Sequence, residues 1–301
     1  MSGTASSYTV DRWWFGNIVG KLTWGRNLGG QNGPGAIGGL PYCLGFQSSS
    51  AYTPAATEPF QIQQSIEADA VSDFAWGTAS AQPLTLSFWA MSSLTGTFSG
   101  ALVNYAATRG YPFNFTISAA NSWQKFAITI PGDMGGTWAM SGAGGSVVVI
   151  FDLGSGANLR AAAGAWTNGN LTGATGAVRL ISTNGATFYV TGVKLEIGTV
   201  ATPYNRQSLA KSMADCQRYY QTIIASARGY NTNGAHLVAT VTFPWMRAAP
   251  TSTVGTGSPI ANSTVPALAV QNNNSAYFDI NVTAVGDAYN FSAPCTLSAE
   301  L

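Results

Sequence analysis

The chain has 301 residues, of which 46% are hydrophobic and only 8% charged, with a formal net charge of +1. The apolar content excludes a disordered chain, and the length allows one large β domain or two smaller ones with a real core. The 13 Lys and Arg residues are scattered singly rather than gathered into a basic stripe, which argues against nucleic acid as a partner.

A charged fraction of 8%, against roughly 25% in an average globular protein, leaves little electrostatic protection against self-association. Such a surface suits an oligomer or a larger assembly. No apolar run approaches the roughly 18 residues needed to cross a bilayer, so membrane insertion is not expected. The start, MSGTASSYTVDRWW, lacks a basic region followed by an apolar stretch and does not read as a secretory signal. Cys43, Cys216 and Cys295 are sparse and odd in number, which argues against a disulfide framework and suits a reducing cytosol. Each is expected to be a small buried hydrophobe.

In chain order, residues 1–40 are rich in Gly, Asn and Trp, and residues 29–39 hold six glycines and one proline. That density predicts an irregular loop, since glycine is costly in a regular element. Strands and turns follow. FQIQQSIE at Phe60–Glu67 alternates as a half-buried strand does. PLTLSFWA at 83–90 puts Leu84, Leu86 and Phe88 on one face. SWQKFAITI at 122–130 predicts a strand with an irregularity near Lys125. SVVVIFDL at 146–153 is continuously apolar and predicts a central strand buried on both faces. TFYVTGVKLEI at Thr187–Ile197 predicts another long strand. Turn signals such as Gly132-Asp133, Gly135-Gly136, Asn168-Gly169 and Asn184-Gly185 separate these runs. The spacing predicts a β-sandwich or jelly roll.

One helix is expected, over residues 208–224. Leu209, Met213, Cys216 and Tyr220 recur at helical spacing behind a Ser208 cap. Short strands at 236–243, 276–282 and 290–297 then predict a second, smaller β domain. The fold class is therefore all-β: a jelly-roll β-sandwich, a short helix and a smaller C-terminal β domain. The boundaries fall at 1–204, 205–228 and 229–301.

The residues carry no recognisable catalytic set. Glu67, Asp69 and Asp73 cluster at a strand end and turn, where solvated or turn roles are expected; a structural calcium is an unsupported alternative, and no cofactor is assigned. His236 is the sole histidine and sits at the start of an alternating strand, with no GxSxG to pair it with. One histidine and three dispersed cysteines give no zinc spacing. Aromatic residues make up 12% of the chain, nine of them Trp. Aromatic faces with polar neighbours suit the amphipathic rings of sugars. Trp76, Tyr111, Trp138 and Trp166 lie away from clean strand alternation and are the glycan-binding candidates, with core packing as the competing role.

Three segments together carry a resemblance: YTVDRWW at 8–14, FQIQQSIE with LTLSFWA at 60–67 and 84–90, and the junction VTGVKLEIGTVATPYNRQSLAKSMADCQRYYQ at 190–221, followed by FPWMRAAPT at 243–251. This order resembles a module of tail-fibre and related virion proteins of tailed bacteriophages. There a jelly roll similar to carbohydrate-binding modules ends in a strand of the type GVxLExGxxATP[FY], followed by a helix with CQRYY and a small β domain. Gly192, Val193, Leu195, Glu196, Gly198, Ala201, Thr202, Pro203 and Tyr204 match the first pattern, and Cys216–Tyr220 read CQRYY.

The resemblance implies a homotrimeric virion protein, assembled in the bacterial cytoplasm, that contacts other virion proteins and a host-surface glycan. It supplies no catalytic residues. Glu196, Pro203, Arg218 and Tyr219 are expected to shape the domain junction, with Arg218 pairing Glu196 or a carbonyl group. Because the resemblance begins near Met1, the expectation is docking onto another virion protein, or a decoration or head-fibre role rather than a tail tip. A decoration or adaptor role without a glycan site, and a glycan-degrading enzyme, remain the alternatives; the last requires two carboxylates about 5–10 Å apart in a cleft.

Overall fold

The computed structural model describes residues 2–10, 12–17, 19–35, 39–264 and 266–300; Asp11 and part of the glycine-rich stretch lie outside the described residues. The chain divides into two compact units, Met1–Tyr204 and Asn205–Leu301.

The first unit is a jelly-roll β-sandwich of two antiparallel sheets. One runs Ser2–Gly3, Leu22–Arg26, Leu44–Ser48, Thr187–Ile197, Leu84–Ser92, Gln124–Ile130 in spatial order. The other runs Thr167–Asn168, Arg109–Ile117, Gly96–Asn104, Gly145–Asp152, Phe60–Glu67, Trp14–Asn17, Ser7–Tyr8. Period-2 alternation builds the interior. Leu84, Leu86 and Phe88 face inward, paired across the ladder with Ile130, Ile128 and Phe126. From the opposite sheet Phe115 and Phe151 meet Phe88 edge-on, with centroids at 5.0 and 4.9 Å. Such offset contacts add about 0.5–1.5 kcal/mol each beyond area burial.

The strand Gly145–Asp152 is central in its seven-stranded sheet and buried along its whole length. Val147, Val149 and Phe151 join the interior. Val148 and Ile150, on the outer face, pack with Ala101, Val103 and Leu171, so the segment after the strand roofs that face. The register from Gln124 to Ile130 against Ala90 to Leu84 is unbroken, which removes the irregularity expected near Lys125; the strand simply starts after Trp123.

In the second unit Ser208 caps the helix by accepting the Lys211 N–H at 3.3 Å, as expected. The helix spans Leu209–Gln217, and the expectation that it reaches residue 224 is corrected. From Tyr220 the chain is a strand, Tyr220–Asn231, paired with Gly286–Ser298. The reason lies in YQTIIASA, whose alternate residues Gln221, Ala225 and Ala227 are buried while Tyr220, Thr222 and Ile224 are exposed. Two-residue periodicity and a long partner strand override the helical spacing. Thr251–Val254 and Ile260–Ala261 also pair with Gly286–Ser298. A three-stranded sheet of His236–Thr242, Ser275–Asn281 and Ala267–Asn272 completes the unit. Its interior is formed by Phe243, Met246, Phe278, Ile280, Cys295 and Leu297.

Candidate functional site

The four aromatic candidates, spread from residue 76 to 166, meet in one cluster. Trp76 packs edge-on against Trp138 at 4.7 Å and against Trp166 at 5.1 Å. Trp166 also lies 5.6 Å from Trp138 and 5.3 Å from Tyr111. Each indole hydrogen is engaged. Trp76 donates to the Gln82 carbonyl and Trp166 to the Pro131 carbonyl, both at 2.8 Å, and Trp138 donates to Asp133 at 3.0 Å.

Their exposures differ. Trp76, Tyr111 and Trp138 are 1%, 7% and 9% exposed. The expectation that they offer a ring face to a sugar is corrected, because their faces are covered by one another and by the sandwich interior. Only Trp166 stays half-buried, with part of its ring at the surface.

The local ribbon explains its neighbours. Thr167–Asn168 pairs with Arg109–Gly110, placing Asn168 opposite Arg109 and Trp166 beside Tyr111. Residues two apart along an extended chain share a face, which sets Trp166 and Tyr111 next to the Arg109–Asn168 pair in the register of this ribbon. Arg109 donates from Nε and Nη2 to the two Asp133 oxygens at 2.9 and 2.7 Å, and from Nη1 to Asn168 Oδ1 at 3.1 Å. A guanidinium has five N–H donors; three are used, and the side chain keeps 20% of its surface while Asp133 keeps 2%. Burial pushes the Asp133 carboxyl up, but the bonds from Arg109 and Trp138 outweigh it and hold it below its ordinary value. The result is a rigid surface indole beside a fixed cation with two N–H groups left to donate.

Arg109, Asp133 and Asn168 were not singled out in the sequence. The signals present were two turns, Gly132-Asp133 and Asn168-Gly169, that bring the acceptors to loops.

The junction residues fall as follows. Glu196 accepts from the Thr202 N–H at 2.8 Å and the Thr202 hydroxyl at 2.6 Å, and pairs with Lys194 at 2.9 Å. Lys194 also reaches the Thr202 hydroxyl and the Pro203 carbonyl. The turn at Ala201-Thr202-Pro203 is thus tied down by Glu196 itself, within the first unit. The Arg218 guanidinium lies 5.9 Å from the ring centre of Tyr219, which is buried in the second unit.

A groove of about 330 Å³ is lined by Ile66, Val71, Asp73, Phe74, Leu195 and Glu196. It holds two carboxylates, the feature a glycosidase needs. However, the Thr202 hydroxyl, its backbone N–H and Lys194 pull Glu196 down to about 2, against the opposing push of desolvation. A carboxyl so acidic keeps no proton to give near neutrality and so cannot be the general acid that a glycosidase needs, which leaves it only the ionised role of base or nucleophile. Of the clustered acids, Glu67 is buried at its strand end, Asp69 accepts the Gly142 N–H at 2.5 Å, and Asp73 is exposed. Among the described residues no group of three His, Cys, Asp or Glu side chains is arranged to hold a metal ion. His236 is exposed on an edge strand, 2.9 Å from Asp279.

No family model and no curated protein matches the sequence. Among solved structures, the family 11 carbohydrate-binding module from Clostridium thermocellum, in complex with a β-1,3-1,4-mixed-linked tetrasaccharide, is 13% identical. That likeness covers 66% of this chain and 95% of the module, with a TM-score of 0.31. A candidate sugar-binding protein from Bacteroides thetaiotaomicron is 11% identical over 63% of this chain and 89% of its own, with a TM-score of 0.35. The module TmCBM61, in complex with β-1,4-galactotriose, is 9% identical over 64% and 92%, with a TM-score of 0.32. These likenesses are too remote to carry a residue of any of these proteins onto this chain.

Proposed function

We propose that the first unit is a non-catalytic saccharide-binding module, used by a tailed-phage virion for attachment to a host-surface glycan. One observation supports the saccharide reading above others. Trp166 offers a partly open indole that Trp76, Trp138 and Tyr111 brace from behind, beside an Arg109 guanidinium locked by Asp133 and Asn168. A sugar ring has an apolar face for the indole and hydroxyls that accept from a guanidinium, and rigidity on the protein side lowers the entropic cost of binding. The virion assignment rests on the junction GVKLEIGTVATPY and CQRYY in the sequence. In that setting weak single-site binding by a homotrimer becomes useful through multivalency.

The test is an array of bacterial polysaccharides probed with the full chain after its oligomeric mass has been measured. Selective binding that falls at least tenfold in both Trp166→Ala and Asn168→Ala supports the proposal. Asn168 is exposed, so its variant separates loss of contact from loss of fold. Absence of binding by correctly assembled protein rejects the glycan role and favours an adaptor or decoration protein. One observation already favours assembly contacts: Leu209, 78% exposed, and Met213 stand on the open face of the helix.

A further inference from the structure

The second unit carries a separate polar and aromatic cluster on the outer face of its larger sheet. Along Tyr220–Asn231 the side chains alternate, so Arg228 and Tyr230 point outward while Ala225 and Ala227 enter the interior. On the neighbouring strand Asp287 stands opposite Tyr230, and Tyr289 opposite Arg228. Arg228 reaches diagonally and donates from Nε and Nη2 to the two Asp287 oxygens at 3.1 and 2.7 Å. Its guanidinium carbon lies 5.9 Å from the ring centre of Tyr289. Phe291 stacks behind Tyr289 at 5.2 Å and 20°. The strand itself is pinned, since Asn262 donates to the Asp287 carbonyl at 3.1 Å and Ser263 to the Tyr289 carbonyl at 2.9 Å. Tyr230 remains 78% exposed.

The chemistry of this cluster points to one kind of ligand. Two of the five guanidinium hydrogens go to Asp287, leaving three to donate, and each Asp287 oxygen keeps a lone pair to accept. Donor and acceptor edges therefore lie side by side next to an open phenol ring. A hydroxyl both donates and accepts, so a pair of neighbouring hydroxyls matches the two edges, and the apolar face of the same ring covers the aromatic. A phosphate or carboxylate would be repelled by Asp287, and a purely apolar partner would leave the ion pair desolvated.

We propose that Arg228, Tyr230, Asp287 and Tyr289 form a second saccharide site, for a sugar ring with vicinal hydroxyls. The proposal rests on reading the chain as a saccharide binder but concerns a different surface. In the first unit Asp133 is buried, so Arg109 offers donors without an open carboxylate, whereas the second unit offers both. Two sites on one chain make each copy bivalent, which raises avidity without any new contact at either site.

The test uses the full isotope-labelled chain, titrated with the methyl glycosides of glucose, galactose, mannose and N-acetylglucosamine. The Nε–H signals of Arg228 and Arg109 report the two sites in one sample. The expected result is a shift of the Arg228 signal that weakens about tenfold in Tyr230→Ala, with the Arg109 response unchanged, and that survives in Trp166→Ala. The exposure of Tyr230 makes its variant safe for folding. A glycoside that moves Arg109 but never Arg228 overturns the second site and leaves the first-unit reading standing. An Arg228 response indifferent to Tyr230→Ala also overturns it. Silence at both arginines overturns both readings.

Discussion

Asp152 and Arg160 form an ion pair at 2.6 Å, with side chains 0% and 3% exposed. Asp152 ends the central strand, and its Oδ1 accepts the N–H groups of Gly154 and Ser155 at 2.9 and 2.7 Å. Arg160 donates from Nη1 to the Ala177 carbonyl at 3.0 Å. The pair thus fastens the roof over Val148 and Ile150 to the sheet beneath. Burial lowers the pKa of Arg160, and the Asp152 charge opposes that shift.

Removing one partner leaves the other charge buried and unpaired, which costs far more than the pair is worth. Asp152→Ala is therefore expected to destabilise the first unit by about 3–5 kcal/mol. A double variant, Asp152→Leu with Arg160→Met, is expected to lose clearly less. Urea unfolding of the three proteins decides it; equal losses in the single and double variants would count against the buried-charge account.

Glu196 gives a pH prediction. Its carboxyl is held near 2 rather than at its ordinary 4.5, first by the Thr202 hydroxyl and then by the Thr202 N–H and Lys194. A depressed carboxyl stabilises the folded state above its unfolded pKa and loses that contribution as pH falls through the folded value. The contribution is complete above about 4.5 and fades between there and about 2. Melting temperatures of wild type and Glu196→Gln should differ at neutral pH and converge toward pH 2. A difference that stays constant across this range would show that the turn at Ala201-Thr202-Pro203 is held by something other than the ionised carboxylate.

Much of the fold was legible because strands advertise themselves by period. FQIQQSIE and TFYVTGVKLEI read as strands and are the strands Phe60–Glu67 and Thr187–Ile197, and the continuous run around Val149 sits at the sheet centre with both faces covered. The helix end was not legible, because Met213, Cys216 and Tyr220 continue a helical stripe through residues that pairing with Gly286–Ser298 claims for a strand. The aromatic candidates illustrate the same limit at the site. Choosing rings that break alternation selects residues that leave the strands, and Trp76, Trp138 and Trp166 do gather. Periodicity does not say which of them is covered, and Arg109 and Asp133, 24 residues apart, carry no local sign that they pair.

Gly100 tests how tightly the seven-stranded sheet is built. A Cβ there would stand 2.2 Å from the Ile150 carbonyl oxygen and 2.5 Å from the Phe113 ring. The nearest obstacle is backbone of the adjacent strand, so no rotamer change relieves it. Gly100→Ala is expected to cost at least about 1–3 kcal/mol, the usual range for overpacking, and to shift the denaturation midpoint accordingly. Gly144→Ala is the control, since a Cβ there meets nothing within 4 Å. Equal stability of the two variants would mean that the strands can part at Gly100.

The cysteines separate by environment. Cys43 is 4% exposed and its thiol is pushed up to about 12 by burial, with the Asn27 contact only partly opposing the rise. Cys295 is buried in the second unit and burial raises it as well. Cys216 is exposed on the helix, which corrects the expectation that all three thiols are buried. Because the thiolate is the reactive form, a water-soluble disulfide reagent at mildly alkaline pH should modify the native chain at Cys216 alone. Cys216→Ser should then abolish fast labelling, while denaturant should release Cys43 and Cys295 together with their units. Rapid labelling of Cys43 in the native chain would mean that the cover formed by Leu28, Met91 and Tyr189 opens far more readily than its packing implies.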